Sequence, residues 1–368
     1  MSFHHATLMV TGGAGFIGSN FIRRILEREP SVRIVNLDAV TYAGNPENLA
    51  DVERRFGACG DRRYRFVRGD IRDADLVSRL LRGGSAPAAS PPSTPPPHAI
   101  VHFAAESHVD RSIMDPRAFV RTNVEGTLTL LEAARAELDT HQRPLRFLHV
   151  STDEVYGTLG PHDPPFTERT ALAPNSPYAA SKAGADLLVR AYARTFGLDA
   201  VIARCSNTYG PYQFPEKLVP LTITRALADR TVPVYGSGTN IRDWMHVDDQ
   251  TDGVWTLLCG GDSGNVYNLA GNAELPNIEI VRRILALLNK PDSLIQFVDD
   301  RPGHDWRYAM DTTKANTELG WRPRRDLDTG LRETVAWYVE NQSWSERVLG
   351  EAYRAAEELY LRAGPPWA

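Results

Sequence analysis

Thr11-Gly12-Gly13-Ala14-Gly15-Phe16-Ile17-Gly18-Ser19 follows a short apolar run, Thr7–Thr11, and its reading decides the fold. Glycines at 12, 15 and 18 make a GxxGxxG rhythm at a predicted strand-to-helix turn. Backbone without a Cβ closes the turn and brings N–H groups up to a pyrophosphate. The helix starting at Phe16 and Ile17 aims its positive end at the same charge. Glycine-rich turns are common, so the setting must carry the inference. A second strand, Arg33–Leu37, ends in Asp38, twenty residues after Gly18. A carboxylate there accepts hydrogen bonds from ribose hydroxyls and repels a 2′-phosphate, which favours NAD over NADP. Asp70, after the third strand in Gly69-Asp70-Ile71, is expected at the adenine edge.

Outward from this turn, apolar β-branched runs alternate with helical patterns. Arg65–Arg68, Ala99–Phe103, Arg146–Val150 and Ala200–Arg204 read as further strands, and Ile17–Glu29, Phe119–Leu138 and Tyr178–Phe196 as helices. Such alternation predicts an α/β fold with a Rossmann-type doubly wound parallel sheet. Beyond Cys205 prolines and turn residues multiply. Helices near Leu218–Leu227, Asp248–Cys259 and Ile278–Leu288 and a returning sheet strand at Asn265–Leu269 predict a smaller, mixed C-terminal substrate domain. The expected division is an NAD-binding domain over 1–206 with returning segments around 243–272. The nucleotide-sugar domain would then occupy mainly 207–242 and 273–368. The tail, Trp344–Leu361, is helical by composition. A stretch over 83–98 holds six prolines between Gly83 and Pro97 and reads as an exposed, flexible insertion; a Pro-rich recognition segment is the other reading.

Composition narrows the function class. The 368 residues are 42% hydrophobic and 24% charged, with a formal net charge of -5, so nothing pulls the chain globally toward nucleic acid. Any phosphate must be held by local groups. Cys59, Cys205 and Cys259 have no pair spacing, which suits a reducing compartment and suggests neither disulfides nor a metal site. Met1–Val10 does not read as a signal peptide, and no apolar run approaches a membrane span, so a soluble cytoplasmic protein is expected.

The candidate chemistry sits at two places. In Ser176-Pro177-Tyr178-Ala179-Ala180-Ser181-Lys182, the tyrosine and lysine fall one helical turn apart on one face. A free phenol titrates at ~10. An adjacent ammonium and a positive nicotinamide would lower that value, letting Tyr178 take a hydroxyl proton while NAD takes hydride. The fifth strand delivers Ser151-Thr152-Asp153-Glu154-Val155-Tyr156-Gly157 at its carboxyl end, where open α/β sheets place ligands. Two adjacent carboxylates exceed what a simple oxidation needs, although acids after a strand also serve as helix caps. Ala104 and Ala105 end the fourth strand; they leave room for a ligand, and close packing would need them equally.

By these residues the chain resembles the extended short-chain dehydrogenases, which share GxxGxxG and Tyr-xxx-Lys. Within them Thr152-Asp153-Glu154 resembles the dTDP-glucose 4,6-dehydratase family. The likeness runs through Phe103-Ala104-Ala105-Glu106-Ser107-His108-Val109-Asp110, Arg121-Thr122-Asn123-Val124-Glu125-Gly126-Thr127, Cys205-Ser206-Asn207, Tyr209 to Lys217, Arg242-Asp243-Trp244 and Arg301-Pro302-Gly303-His304-Asp305. Related epimerases keep the tyrosine and lysine but usually lack the acid pair. The resemblance implies oxidation at sugar carbon 4 by Tyr178 and NAD, with Thr152 holding the oxygen and Lys182 beside the phenol. Glu154 as base and Asp153 as acid then eliminate water across carbons 5 and 6, and hydride returns to carbon 6. Which acid holds the proton at rest is not legible in the electrostatics of sequence alone.

The resemblance also implies cofactor contacts at Gly12, Gly15, Phe16, Ile17, Gly18, Asp38, Thr41, Asp70, Ile71, Ala104, Ala105, Ser107, Thr122, Tyr178, Lys182 and Asn207. Substrate contacts fall at Ser107, Thr152, Asn207, Lys217, Leu218, Val219, Pro233, Val234, Tyr235, Arg242, Asn277, Arg301 and His304, with Arg suited to bidentate phosphate binding. The expected partner is dTDP-glucose, with a UDP-hexose dehydratase or a 4-epimerase as the alternatives. A homodimer is implied through the 119–138 and 178–196 helices, whose apolar residues could instead serve only the core. Thr208 departs from the family, which commonly has a second asparagine there, and the Pro-rich stretch is unusual.

Overall fold

The computed structural model describes residues 3, 5–84 and 94–350. Its strands are β1 (Thr7–Thr11), β2 (Arg33–Asp38), β3 (Tyr64–Arg68), β4 (Ala99–His102), β5 (Arg146–Thr152), β6 (Ala200–Cys205), β7 (Asn207–Tyr209), β8 (Val232–Tyr235), β9 (Ile241–His246), β10 (Val266–Leu269), β11 (Glu274–Pro276) and β12 (Ile295–Val298). Seven of them form one sheet in the order β10-β6-β5-β4-β1-β2-β3. Every pairing in it is parallel. The order turns back on itself between β1 and β4, which places a crevice outside their carboxyl ends.

Strand periodicity explains why both faces are covered. Leu8 and Val10 of β1 point into one apolar cluster with Phe21, Leu148 and Val254. Met9, between them, points into another with Val35, Ile100, Phe147 and Leu130. Each such side chain, taken fully out of water, contributes roughly 1.5–3 kcal/mol. The helix Phe16–Arg28 covers the first face together with Val247–Gly260, where Arg24 holds Asp252 at 2.6 Å. Pro177–Phe196 packs on β5 and β6 from the other side.

The predicted strands are all present, within one or two residues. β5 runs on through Ser151 and Thr152, so both stay paired with β6 in extended conformation. The predicted Phe119–Leu138 helix is continuous but not uniform. Pro116–Phe119 leads into a π-helical turn, Val120–Glu125, before the regular helix Gly126–His141. The extra residue of that turn aims Asn123 inward. Its Oδ1 accepts from Glu106 N at 2.9 Å, and its Nδ2 donates to Glu106 O at 3.0 Å and Ser181 Oγ at 2.8 Å. A regular helix would have rotated this amide away from one of its partners.

Beyond β6, β7 and β9 pair in parallel and β11 adds antiparallel, while β8 and β12 form a separate parallel pair. Helices Leu218–Leu227, Asn277–Leu287 and Leu327–Glu340 pack there around Tyr209, Ile223, Ile280, Leu331 and Tyr338. β10 returns to the large sheet, as the apolar run at Asn265–Leu269 predicts. Residues 342–350 are helical; the rest of the predicted tail helix lies outside the described residues, as does most of the Pro-rich stretch. Among the described residues, no helix is long and apolar enough to cross a membrane.

Candidate active site

A cleft of about 720 Å³ lies at the carboxyl ends of the parallel strands. Gly12, Gly15, Phe16, Ile17 and Gly18 line it from the first turn, and Asp38, Thr41, Asp70 and Ile71 from the loops after β2 and β3. Ala104, Ala105, Ser107, Thr122 and Asn207 complete the expected cofactor set around it, and Thr152, Asp153, Glu154, Tyr178 and Lys182 line the same cleft. Gly12 has φ +73°, and a Cβ on it would sit 2.5 Å from Ala104 N. A Cβ on Gly18 would lie 2.3 Å from Gly12 O. Strand end, turn and helix meet there with no room for a side chain. Gly15 precedes the helix without a side-chain cap, so no side chain competes for the first N–H groups.

Asp38 is buried behind this loop. Its carboxylate accepts from Ala14 N at 2.8 Å and Val40 N at 2.7 Å, and burial raises its proton affinity. Each oxygen keeps a lone pair for a further donor. Asp70 is paired with Arg72 at 2.6 Å, which holds its carboxyl below the ordinary range. These residues fit a dinucleotide: a glycine turn before a helix end that no side chain caps, and a fixed acid one strand away.

The reacting end is built from β5 and one helix start. Ser176 caps that helix by accepting from Ala179 N at 3.1 Å, with Pro177 at the first helical position. Tyr178 thus lies in the first turn and Lys182 one turn on, both buried. Lys182 Nζ donates to Val150 O at 2.8 Å and lies 3.5 Å from His149 Nε2. His149 is 3.4 Å from Asp186, which Arg204 Nε also holds at 2.8 Å. Burial draws Lys182 down to about 8. The sequence reading expects the ammonium together with a positive nicotinamide to lower the phenol of Tyr178. In the protein alone burial, and then the carboxylate of Glu154, push the phenol up, and a hydrogen bond with Thr152 opposes them.

After Thr152 the chain enters a 3-10 turn, Asp153–Tyr156. Thr152 caps it, accepting from Glu154 N at 3.3 Å and donating to Asp153 Oδ1 at 3.1 Å, so the capping role falls to the threonine and leaves the acids free. Burial and the neighbouring Glu154 carboxylate push Asp153 well above the usual carboxylate range. Burial also raises Glu154, but Arg301, Arg242 and Lys217 pull it back. The two acids therefore differ in environment, and the proton belongs on Asp153. Asp153 Oδ2, Ser206 Oγ and Asn207 Oδ1 are buried in this cleft without a protein partner, as expected of atoms that meet a polar ligand.

The expected substrate positions divide. Lys217 lines the cleft, and its Nζ donates to Ser107 O at 3.0 Å. Tyr235 and Arg301 converge on Asp110, at 2.7 and 3.2 Å, and His304 lies edge-on to Tyr235. Arg242 stacks on Tyr308 at 4.3 Å and donates to Asp305 O. Asn277 opens its helix, Leu218 and Pro233 are half-buried, and Val219 and Val234 are packed in apolar clusters. Thr208 bonds back to Ser206 O at 3.1 Å and takes no part in the acid pair. Sequence reasoning missed Tyr42 and Glu216, which also line the cleft. Their places, next to Thr41 and Lys217, were the available signal.

Fold and site together define an extended short-chain dehydrogenase/reductase whose cleft runs from a dinucleotide cradle to an acid pair. Residues 9–334 match the family model described as GDP-mannose 4,6 dehydratase. The chain belongs to the dTDP-glucose 4,6-dehydratases. It is 51% identical to the dTDP-glucose 4,6-dehydratase of Xanthomonas campestris pv. campestris (strain B100), over 95% of this chain and 97% of that one. Against dTDP-glucose 4,6-dehydratase 1 of Escherichia coli (strain K12) the identity is 46%, over 95% and 97%. Among solved structures, DesIV, the dTDP-glucose 4,6-dehydratase of Streptomyces venezuelae with NAD and TYD bound, superposes with a TM-score of 0.83 at 48% identity, covering 93% of this chain and 99% of that one. UDP-glucose 4-epimerase of Thermotoga maritima is more distant, at 26% identity and a TM-score of 0.79, over 91% and 99%.

Proposed function

We propose that this chain converts dTDP-glucose to dTDP-4-keto-6-deoxyglucose and water, using NAD that is regenerated in each turnover. The observation that carries this reading is the acid pair: Asp153 and Glu154 lie side by side at the Tyr178 end of the cleft, in environments that separate their proton affinities. The glycine turn, Asp38 and Asp70 would hold the dinucleotide, with Ile71, Ala104, Ala105 and Thr122 flanking it. When bound, NAD supplies a hydride acceptor for carbon 4, a donor for carbon 6 and a positive charge that favours the phenolate of Tyr178.

The protein's own groups do the rest. Tyr178 takes the proton of the carbon-4 hydroxyl, and Thr152 holds that oxygen. The ketone acidifies the proton on carbon 5, which Glu154 removes as general base. Asp153, holding its proton, gives it to the departing carbon-6 hydroxyl, and water leaves. Carbon 5 then regains a proton. Lys217, Arg242 and Arg301, with Asn207, Tyr235, Asn277 and His304, form the nucleotide-sugar end of the proposal, and residues 207–242 and 273–368 its domain. A cytoplasmic location belongs to the same reading, consistent with three cysteines scattered without pair spacing. So does a homodimer. Val120, Leu128, Leu187 and Phe196 are exposed on the two helical segments expected to pair, and Met114 lies just before them.

The test is incubation of the purified protein with dTDP-glucose and no added cofactor. A 4-keto sugar, seen by its absorbance in alkali, with a methyl group at carbon 6, is expected. Absence of ketone, or a product that keeps the carbon-6 hydroxyl, would overturn the reading.

A further inference from the structure

Tyr42 and Glu216 line the same cleft from segments far apart in the chain, the loop after β2 and the loop before helix Leu218–Leu227. Tyr42 Oη donates to Glu216 Oε1 at 3.1 Å. The contact is built from several sides. The Arg111 guanidinium lies 3.8 Å from the centre of the Tyr42 ring, and Phe214 meets that ring edge-on at 5.9 Å. His108 Nε2 is 3.8 Å from the second oxygen of Glu216, whose side chain is only 5% exposed. Burying a carboxylate this far is unfavourable unless its partners compensate. Nothing in the proposed proton transfers uses Tyr42 or Glu216. What they join is informative: Tyr42 lies in the loop that follows Asp38, and Glu216 adjoins Lys217.

We propose that Tyr42 and Glu216 form a latch that keeps the dinucleotide in the cleft throughout turnover, tying the cofactor loop to the nucleotide-sugar loop. The inference rests on the reading that NAD serves here as a hydride store. In that chemistry the hydride removed from one sugar returns to the same sugar, so a cofactor released midway strands an oxidised intermediate. A dehydrogenase that exchanges its cofactor in each cycle has no use for such a tie. Both are positioning residues, since neither takes part in the proposed proton transfers.

The test measures nucleotide retention without turnover. Purified wild-type protein, Tyr42→Phe, Glu216→Ala and the double variant are loaded with NAD and desalted, and nucleotide per chain is followed over time by absorbance after denaturation. Each single variant is expected to lose nucleotide about tenfold faster, the scale of one hydrogen bond to a charged group. The double variant should be no faster than the singles, because both remove one contact. Wild-type retention in either folded single variant, checked by circular dichroism, overturns the latch; so does a double variant whose losses multiply. Wild-type protein that holds no nucleotide overturns the cofactor reading and the latch with it, a failure distinguishable from the other two.

Discussion

Asp153 and Glu154 are adjacent in sequence and unlike in circumstance. Asp153 is enclosed with one oxygen unpartnered, and Glu154 feels three basic side chains. The assignment of acid and base predicts that Glu154→Gln still oxidises carbon 4 but stalls before water leaves. Reduced cofactor should then accumulate, visible near its own absorbance band, while ketone release falls by roughly 10²–10⁴-fold. Water loss at near-native rate in that variant would refute the assignment. The pH profile belongs to the same residues. Protonating Glu154 removes the base, and its affinity is raised, so activity should fall on the acid side earlier than for an ordinary carboxyl. On the alkaline side, Lys182 sits at about 8, and losing its ammonium withdraws the charge that supports the phenolate. A profile of kcat/KM that stays flat from 7 to 10 would contradict this role. The identity of the acid pair was readable from its place after a strand. Its proton was not, because burial and the facing arginines come from Arg242 and Arg301, distant in the chain.

At the scale of elements, the turn from β1 into its helix is the part that tolerates least. Gly12 combines a positive φ with backbone of the β4 end at 2.5 Å, so Gly12→Ala must either move that strand end or open the turn. NAD binding is expected to fall by more than tenfold while the thermal midpoint drops only a few degrees; unchanged nucleotide affinity by titration would refute this account. The glycine rhythm made this element legible once its setting was read with it, a strand before the turn, a helix after it and Asp38 at the end of the next strand. The π-helical turn at Val120–Glu125 was not legible. Its cause is tertiary: Asn123 must reach Glu106 and Ser181 together, and hydrophobic periodicity carries no trace of that demand. The burial that raises Tyr178 is tertiary in the same way, because the sequence shows Lys182 near it but not the walls that enclose both.

Across the whole molecule, the large sheet was the most readable feature, since alternating and continuous apolar runs answer directly to burial on one face or two. The proposed nucleotide-sugar end was the least so, its residues coming from β7 to β12 and their loops. The exposed apolar residues lead to a prediction at this scale. Sedimentation at micromolar protein should show a dimer, and Leu187→Glu with Val120→Glu should give a folded monomer. A wild-type monomer would end the proposal. One further feature sets how the chain can be rebuilt. Arg65 holds Gly84 O and Thr94 Oγ1, and Arg143 holds Leu81 O and Pro97 O, so the borders of the proline-rich stretch are clamped to the body of the sheet. Whatever is spliced between those two clamps is mechanically insulated from β4, making this the natural graft point for a reporter or affinity module.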